Sequence, residues 1–494
     1  MKKLLAITLL VGLLAGGLAA CDLLDPTNAE NPNVTEGDFL SQENSMARWI
    51  QGLERQATLS LNNLSNDLES GYITAAEIAS DNYVNTRTFF NQFMDGLVFD
   101  NTDQAIRITM ASFANLRESA EFGLSTVRTR DEASTPDQEA EVHFFKGMAH
   151  LWTGEVFHLA PADSAGAPVP SAEQFVLAAE AFQQALALSE DDAVRPGYHI
   201  ALARAYRNLG DRSGARTQAE LAIAANPVFV RYARHDNTNG PENDTQDALF
   251  DRGTFDDLQP LPRLDFLDPK YFPTAEPNTE DGDDEDADVA YVKAEEAYLV
   301  LAETFLAEGD LGSAQNTLKE LLDVVAGRDS ERLIDDTEDR IQLAPGSRPN
   351  TPDWKVAAGP GEPMREELVV SRREEVEIPV VSGTSVIEAQ IDALSSIDEG
   401  LETVYLMRQE IFIAEGRRMG DLGIKWPVPQ REIENNPNIN EGDPATQAVV
   451  PPFLPASEMD AFTMDEATRE VVILHNLNRL LVQNKSSEHV LPFF

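Results

Sequence analysis

Residues 195–227, "RPGYHIALARAYRNLGDRSGARTQAELAIAANP", decide the fold because the chain repeats their pattern one hundred residues later. Residues 295–325 read "EEAYLVLAETFLAEGDLGSAQNTLKELLDVV". The two stretches superpose on their Gly-Asp pairs, Gly210-Asp211 and Gly309-Asp310. In that register Leu202 matches Leu301, Ala203 matches Ala302, Tyr206 matches Phe305, Ala215 matches Ala314 and Ala219 matches Leu318. Apolar residues recur at helical spacing on both sides of the Gly-Asp pair, which predicts two helices joined by a tight turn. Small residues where the helices touch allow close approach, and the glycine permits the reversal.

This pattern resembles the tetratricopeptide repeat, a stacked antiparallel helix pair. A further unit is expected upstream. Its first helix carries Phe144, Met148 and Leu151, and its second, "EQFVLAAEAFQQALAL", carries Ala178, Phe182 and Ala185. Between them lies "APADSAGAPVP" (160–170), so the turn is expected to be expanded into a loop. The units fall near 137–188, 195–227 and 288–325, broken by long stretches at 228–288 and 326–398. The predicted fold is all-α dominated, a scaffold of tetratricopeptide-like helix pairs with long irregular loop insertions. Such insertions on a rigid frame are where ligand contacts usually reside. Helical stripes also precede the repeats. Met46, Trp49, Ile50, Leu53, Ala57 and Leu61 lie three and four residues apart, and Trp49 and Trp152 are expected in the core.

The chain has one cysteine, Cys21. Met1-Lys2-Lys3 forms a basic head before an almost wholly apolar run at 4–17, the layout of an export signal. About 14 residues of helix reach only ~21 Å, short of the ~30 Å hydrocarbon layer, so a permanent span is not expected. The run ends Leu18-Ala19-Ala20-Cys21, which resembles the lipobox of bacterial lipoproteins. That resemblance implies cleavage before Cys21, diacylglyceryl attachment to its sulfur and anchoring in outer-membrane lipid. Buried acyl chains contribute ~0.8 kcal/mol per methylene. An ordinary signal peptide with an incidental cysteine is the competing reading. Residues 1–20 are then the signal, 21–38 a lipidated tether rich in Asp, Asn and Pro, and 39–494 a single body.

The formal charge is −47. Such a surface repels phosphate backbones and disfavours nucleic acid as a partner. An acidic, lysine-poor envelope also fits a saline setting, where repulsion is screened over ~3 Å at molar salt rather than ~8 Å. Carboxylate pairs carry little information in so acidic a chain, and no G-x-S-x-G elbow, P-loop, H-E-x-x-H or Rossmann fingerprint appears. No enzyme activity and no cofactor are expected. His143, His150 and His158 are spaced by seven and eight residues, about 10–12 Å along a helix, too far apart for one metal. The acidic "EDGDDEDAD" (280–288) lacks the glycine and distal glutamate of an EF-hand loop and reads as a solvated loop.

Near the end stands "YLMRQEIFIAEGRRMGDLGIKWPVPQREIENNPNIN" (405–440). It resembles the C-terminal signature of the SusD/RagB family of outer-membrane nutrient-binding lipoproteins. Arg408, Glu410, Glu415, Gly416, Arg418, Asp421 and Leu422 supply the helical part, and Pro427, Pro429, Glu432, Ile433, Asn436, Pro437 and Asn438 the extended part. Met419 departs from the usual aromatic, and the family's closing Asn-x-Gly-Tyr is not visible. Arginine forks such as Arg408 and Arg418 suit bidentate pairing with carboxylates of neighbouring helices, so these residues read as scaffold. The resemblance implies a surface-exposed, non-catalytic lipoprotein that binds an oligosaccharide and delivers it to a SusC-like TonB-dependent transporter. A RagB-like peptide-binding member and a tetratricopeptide-type docking scaffold are the alternatives. Sugar recognition uses rings on the apolar face and polar groups on the hydroxyl edge. The candidate ligand residues are therefore Asp81, Asn82, Tyr83, Asn85, Arg87, Phe89 and Phe90 in "SDNYVNTRTFFNQF", and Trp354 in a Pro/Gly-rich loop.

Overall fold

The structure, a computed structural model, describes residues 36–62, 71–85, 92–236, 240–250, 258–271, 287–333, 348–371 and 376–494. The longer helices before the repeats are α1 (Ser45–Leu61), α2 (Tyr72–Ile78) and α3 (Gln104–Phe122), with shorter helical turns between them. Three helix pairs follow. They are α4 (Pro136–Val156) with α5 (Ser171–Leu188), α6 (Arg195–Asn208) with α7 (Arg212–Ala225), and α8 (Ala294–Ala307) with α9 (Leu311–Ala326). Successive pairs stack, α5 against α6 and α7 against α8. The closing helices α10 (Ile397–Ile411), α11 (Arg418–Asp421) and α12 (Leu477–Gln483) come next, and α10 packs on α8, α9 and α12. No helix of the described residues is long and apolar enough to cross a membrane.

The repeat register read from the sequence is the packing register. Leu202, Ala203, Ala215 and Ala219 are buried, as are Leu301, Ala302, Ala314 and Leu318. At each turn the glycine takes a left-handed backbone, φ 72° at Gly210 and 79° at Gly309. The following aspartate caps the second helix: Asp211 accepts from the Gly214 N–H and Asp310 from the Ser313 N–H, both at 3.0 Å. A Cβ on Gly309 would meet nothing within 4 Å, whereas one on Gly210 would lie 2.9 Å from the Pro492 carbonyl oxygen. Gly309→Ala is therefore expected to cost about 1–2 kcal/mol, the conformational penalty alone. Gly210→Ala must cost more, because the 492–494 segment has to move; parallel urea unfolding of the two variants gives the ranking.

The Pro/Ala-rich insertion in the first pair is more regular than a loop. Strands β2 (Leu159–Pro161) and β3 (Pro168–Pro170) pair antiparallel, Leu159 opposite Pro170, and return the chain to α5. Other insertions form short ribbons against the helical body, including β4 (Val230–Ala233) with β6 (Val289–Lys293) and β7 (Ser330–Leu333) with β10 (Val376–Pro379). The largest sheet among the described residues has the order β11-β12-β8-β9, from β11 (Phe462–Asp465) through β12 (Glu470–Ile473) and β8 (Lys355–Ala357) to β9 (Met364–Arg365), with β12 parallel to β8. Aromatic rings join the helical layers. Trp152 sits 5.8 Å from both Phe113 and Tyr291, and Phe144 lies 5.3 Å from Tyr198 and 5.9 Å from Phe182. Trp49 is partly buried and donates its indole N–H to the Ser119 carbonyl at 2.9 Å.

Candidate binding face and the charged core behind it

Residues 81–85 leave α2 and enter β1 (Tyr83–Asn85), which pairs antiparallel with β5 (Leu258–Pro260), Tyr83 opposite Pro260 and Asn85 opposite Leu258. Asp81, Asn82 and Tyr83 are all buried. The Asp81 carboxylate takes both arms of the Arg418 guanidinium, at 2.6 and 3.0 Å, and a third bond from the Gln409 amide at 2.9 Å. Asn82 donates to Glu77 at 2.7 Å and accepts from Gln409 at 3.1 Å. All three of these candidate ligand residues are thus enclosed in the folded chain, and the two polar ones bond interior groups. Trp354 is likewise only 2% exposed, under the Arg469 guanidinium at 5.1 Å from the ring centre. Arg87, Phe89 and Phe90 lie outside the described residues, and so does the Asn85 side chain; Cys21 and the 1–20 leader do as well.

The closing motif is the hub of a charged interior. Arg408 donates to Asp421 at 2.9 Å and to Glu296 at 3.2 Å; Arg417 reaches the other Glu296 oxygen at 2.6 Å. Arg207 pairs with Glu303 at 2.7 Å and with the Tyr405 hydroxyl at 2.8 Å. Burial opposes the charge on Glu296, but the guanidiniums of Arg417, Arg408, Arg204 and Arg207 outweigh it and hold the carboxyl far below its ordinary range. Arg408 and Arg418 are thus scaffold, pairing with carboxylates carried by other helices and by the α2–β1 connection. The Asn-Pro-Asn segment does similar work at the rim: Asn436 and Asn438 donate to the carbonyls of Gly166 and Ala165 at 2.8 and 2.9 Å, pinning the β2–β3 ribbon.

Glu77 is the exception to strong pairing. Burial pushes its pKa up to about 7, against hydrogen bonds from Asn82 and the Gly416 N–H. Between about 4.5 and 7 the folded chain holds a proton that the unfolded chain has released, so the stabilisation tied to Glu77 is complete below that window and is lost as pH rises through 7. Urea unfolding across pH 5–8 should show this declining slope, and Glu77→Gln should remove it.

Rings facing outward are few among the described residues. Phe93 is 64% exposed and Val98 61%, and they are tied together by the Val98 N–H donating to the Phe93 carbonyl at 2.8 Å. Between them the buried Met94 anchors the turn beside β1. Sequence spacing singled out this region as ring-rich but carried no sign of which ring points outward. His143, His150 and His158 are not gathered. His150 is buried and bonds Gln174 at 2.8 Å, and burial pulls its pKa down to about 4. Among the described residues no group of three or more His, Cys, Asp or Glu is placed to hold a metal ion.

A stack of helix hairpins carrying looped insertions, with an exposed ring beside β1, defines a helical scaffold of repeat type. Its fold is the SusD-like fold. A SusD superfamily protein from Parabacteroides distasonis superposes with TM-score 0.55 at 10% identity, covering 81% of this chain and 98% of its own. A SusD-like carbohydrate binding protein from Bacteroides vulgatus gives 0.51 at 13% identity, over 76% and 82%. A laminarin binding SusD-like protein gives 0.52 at 12% identity, over 81% and 100%. Comparison with family models and with curated proteins found no match.

Proposed function

We propose that the chain is a non-catalytic, surface-exposed lipoprotein of the SusD family that captures a polymeric nutrient, an oligosaccharide, and passes it to a SusC-like TonB-dependent transporter. The observation that carries this reading is the likeness, over 76% and 81% of the chain, to structures named as carbohydrate binding and laminarin binding. The lipobox ending at Cys21 supplies the outer-membrane anchor, and the closing motif supplies the interior that holds the face in shape.

The Phe93 ring offers an apolar platform for a pyranose face. Phe93→Ala is expected to weaken glycan binding about 2- to 12-fold, the range of one aromatic contact of ~0.5–1.5 kcal/mol, with unchanged unfolding. Titration calorimetry of residues 22–494 against laminarin, starch oligosaccharides and a peptide digest tests the ligand class. Binding of a glycan supports the reading, and binding of peptide alone replaces it with the RagB-like alternative. Affinity purification from native outer membranes tests delivery: a barrel transporter is the expected companion, and its absence overturns that part.

A further inference from the structure

A small cavity lies between α4, α6, β6, the start of α8 and the 412–417 turn. Met148, Leu151 and Ile200 form its apolar wall, and Arg204, Lys293, Arg417, Glu296 and Glu415 its polar one. It has room for about one water-sized sphere, with about 10 Å³ open to the sphere's centre. Three cations therefore face two carboxylates. The groups bonded directly behind them, Glu155 on Arg204, Lys270 on Glu415, Arg408 on Glu296 and Asp421 on Arg408, leave five cations against four carboxylates. An uncompensated charge in a low-dielectric interior is costly, so this kernel of a chain with net charge −47 is short of one negative charge.

Donors are also left over. Lys293 spends its ammonium on the Val381 and Ile411 carbonyls and on Glu415, at 3.0, 2.8 and 2.6 Å. Arg204 gives Nε and Nη2 to Glu155, and Arg417 gives Nη2 to Glu296. Among the described residues, Arg204 Nη1 and Arg417 Nε and Nη1 have no acceptor. Burial, and next the Arg204 charge, lower the pKa of Arg417, as expected of two guanidiniums crowded at one void.

We propose that this cavity is a binding site for a single halide ion, chloride in a saline medium, held by the spare N–H groups of Arg204 and Arg417. Its size admits a monatomic ion and excludes phosphate, sulfate or a carboxylate ligand. The ion would complete the charge balance of the interior that joins α6, β6 and α8 to the closing motif.

Crystals of the mature body soaked in sodium bromide test this. An anomalous bromine peak in the cavity, within hydrogen-bond reach of Arg204 and Arg417, is expected; a water or nothing at that position overturns the proposal. Melting in sodium chloride against sodium gluconate at constant ionic strength gives a second readout. The wild-type chain should gain a saturable, chloride-dependent rise in Tm that Arg417→Gln lacks, and an identical response in both proteins counts against the site. Should Arg417→Gln fail to fold, the bromide experiment on the wild-type chain decides alone.

Discussion

Arg418→Met lowers the free energy of unfolding by about 3–5 kcal/mol, the penalty for stranding one half of a buried ion pair. Arg418 and Asp81 are both buried, and the guanidinium also reaches Asn478 at 2.9 Å. Methionine fills much of the volume but leaves Asp81 with Gln409 as its remaining side-chain donor. Asp81→Asn in the Arg418→Met background should recover part of the loss, because a neutral amide is far less costly to bury than a carboxylate. Equilibrium urea unfolding of the two singles and the double completes the cycle. A loss below about 1 kcal/mol for Arg418→Met would show that the interior relaxes enough to hydrate Asp81.

Trp152→Ala is expected to cost about 3–5 kcal/mol by removing the largest side chain from a well-packed layer. Its ring is 1% exposed and touches Phe113 of α3 on one side and Tyr291 of β6 on the other. The void therefore opens between three elements, and collapse would require all three to move. Trp152→Phe should cost markedly less. Unfolding by urea measures both, and glycan affinity of the surviving folded fraction should match the wild-type chain, since the buried ring cannot touch a ligand.

The repeat hairpins were legible because their physics is local. Gly210-Asp211 and Gly309-Asp310 each encode a left-handed turn and an N-cap within two residues, and small residues beside them announce close helix contact. The arginines of the closing motif were legible as scaffold by their chemistry, since a planar fork in a helix wants a carboxylate. Their partners were not, because nothing near Asp81 in sequence points to Arg418. The burial of Asp81, Asn82, Tyr83 and Trp354 was hidden for the same reason. Polar and aromatic residues without a clean period look like a ligand loop, and only three-dimensional pairing reveals that the polar groups are satisfied from within. Phe93 shows the converse, because one exposed ring among several neighbours has no signature in a linear pattern.

The distance along the chain between Asp81 and Arg418 also governs when the molecule can close. The two are separated by 337 positions. At about 5–20 residues per second of synthesis, the partner arrives roughly 17–70 s later. Throughout that delay Asp81 lacks the guanidinium that neutralises it in the folded chain, so the amino-terminal helices cannot bury it as they do in the finished fold. Export, as proposed above, would require the chain to stay threadable until fully across, and a carboxylate still waiting for its partner would favour that state.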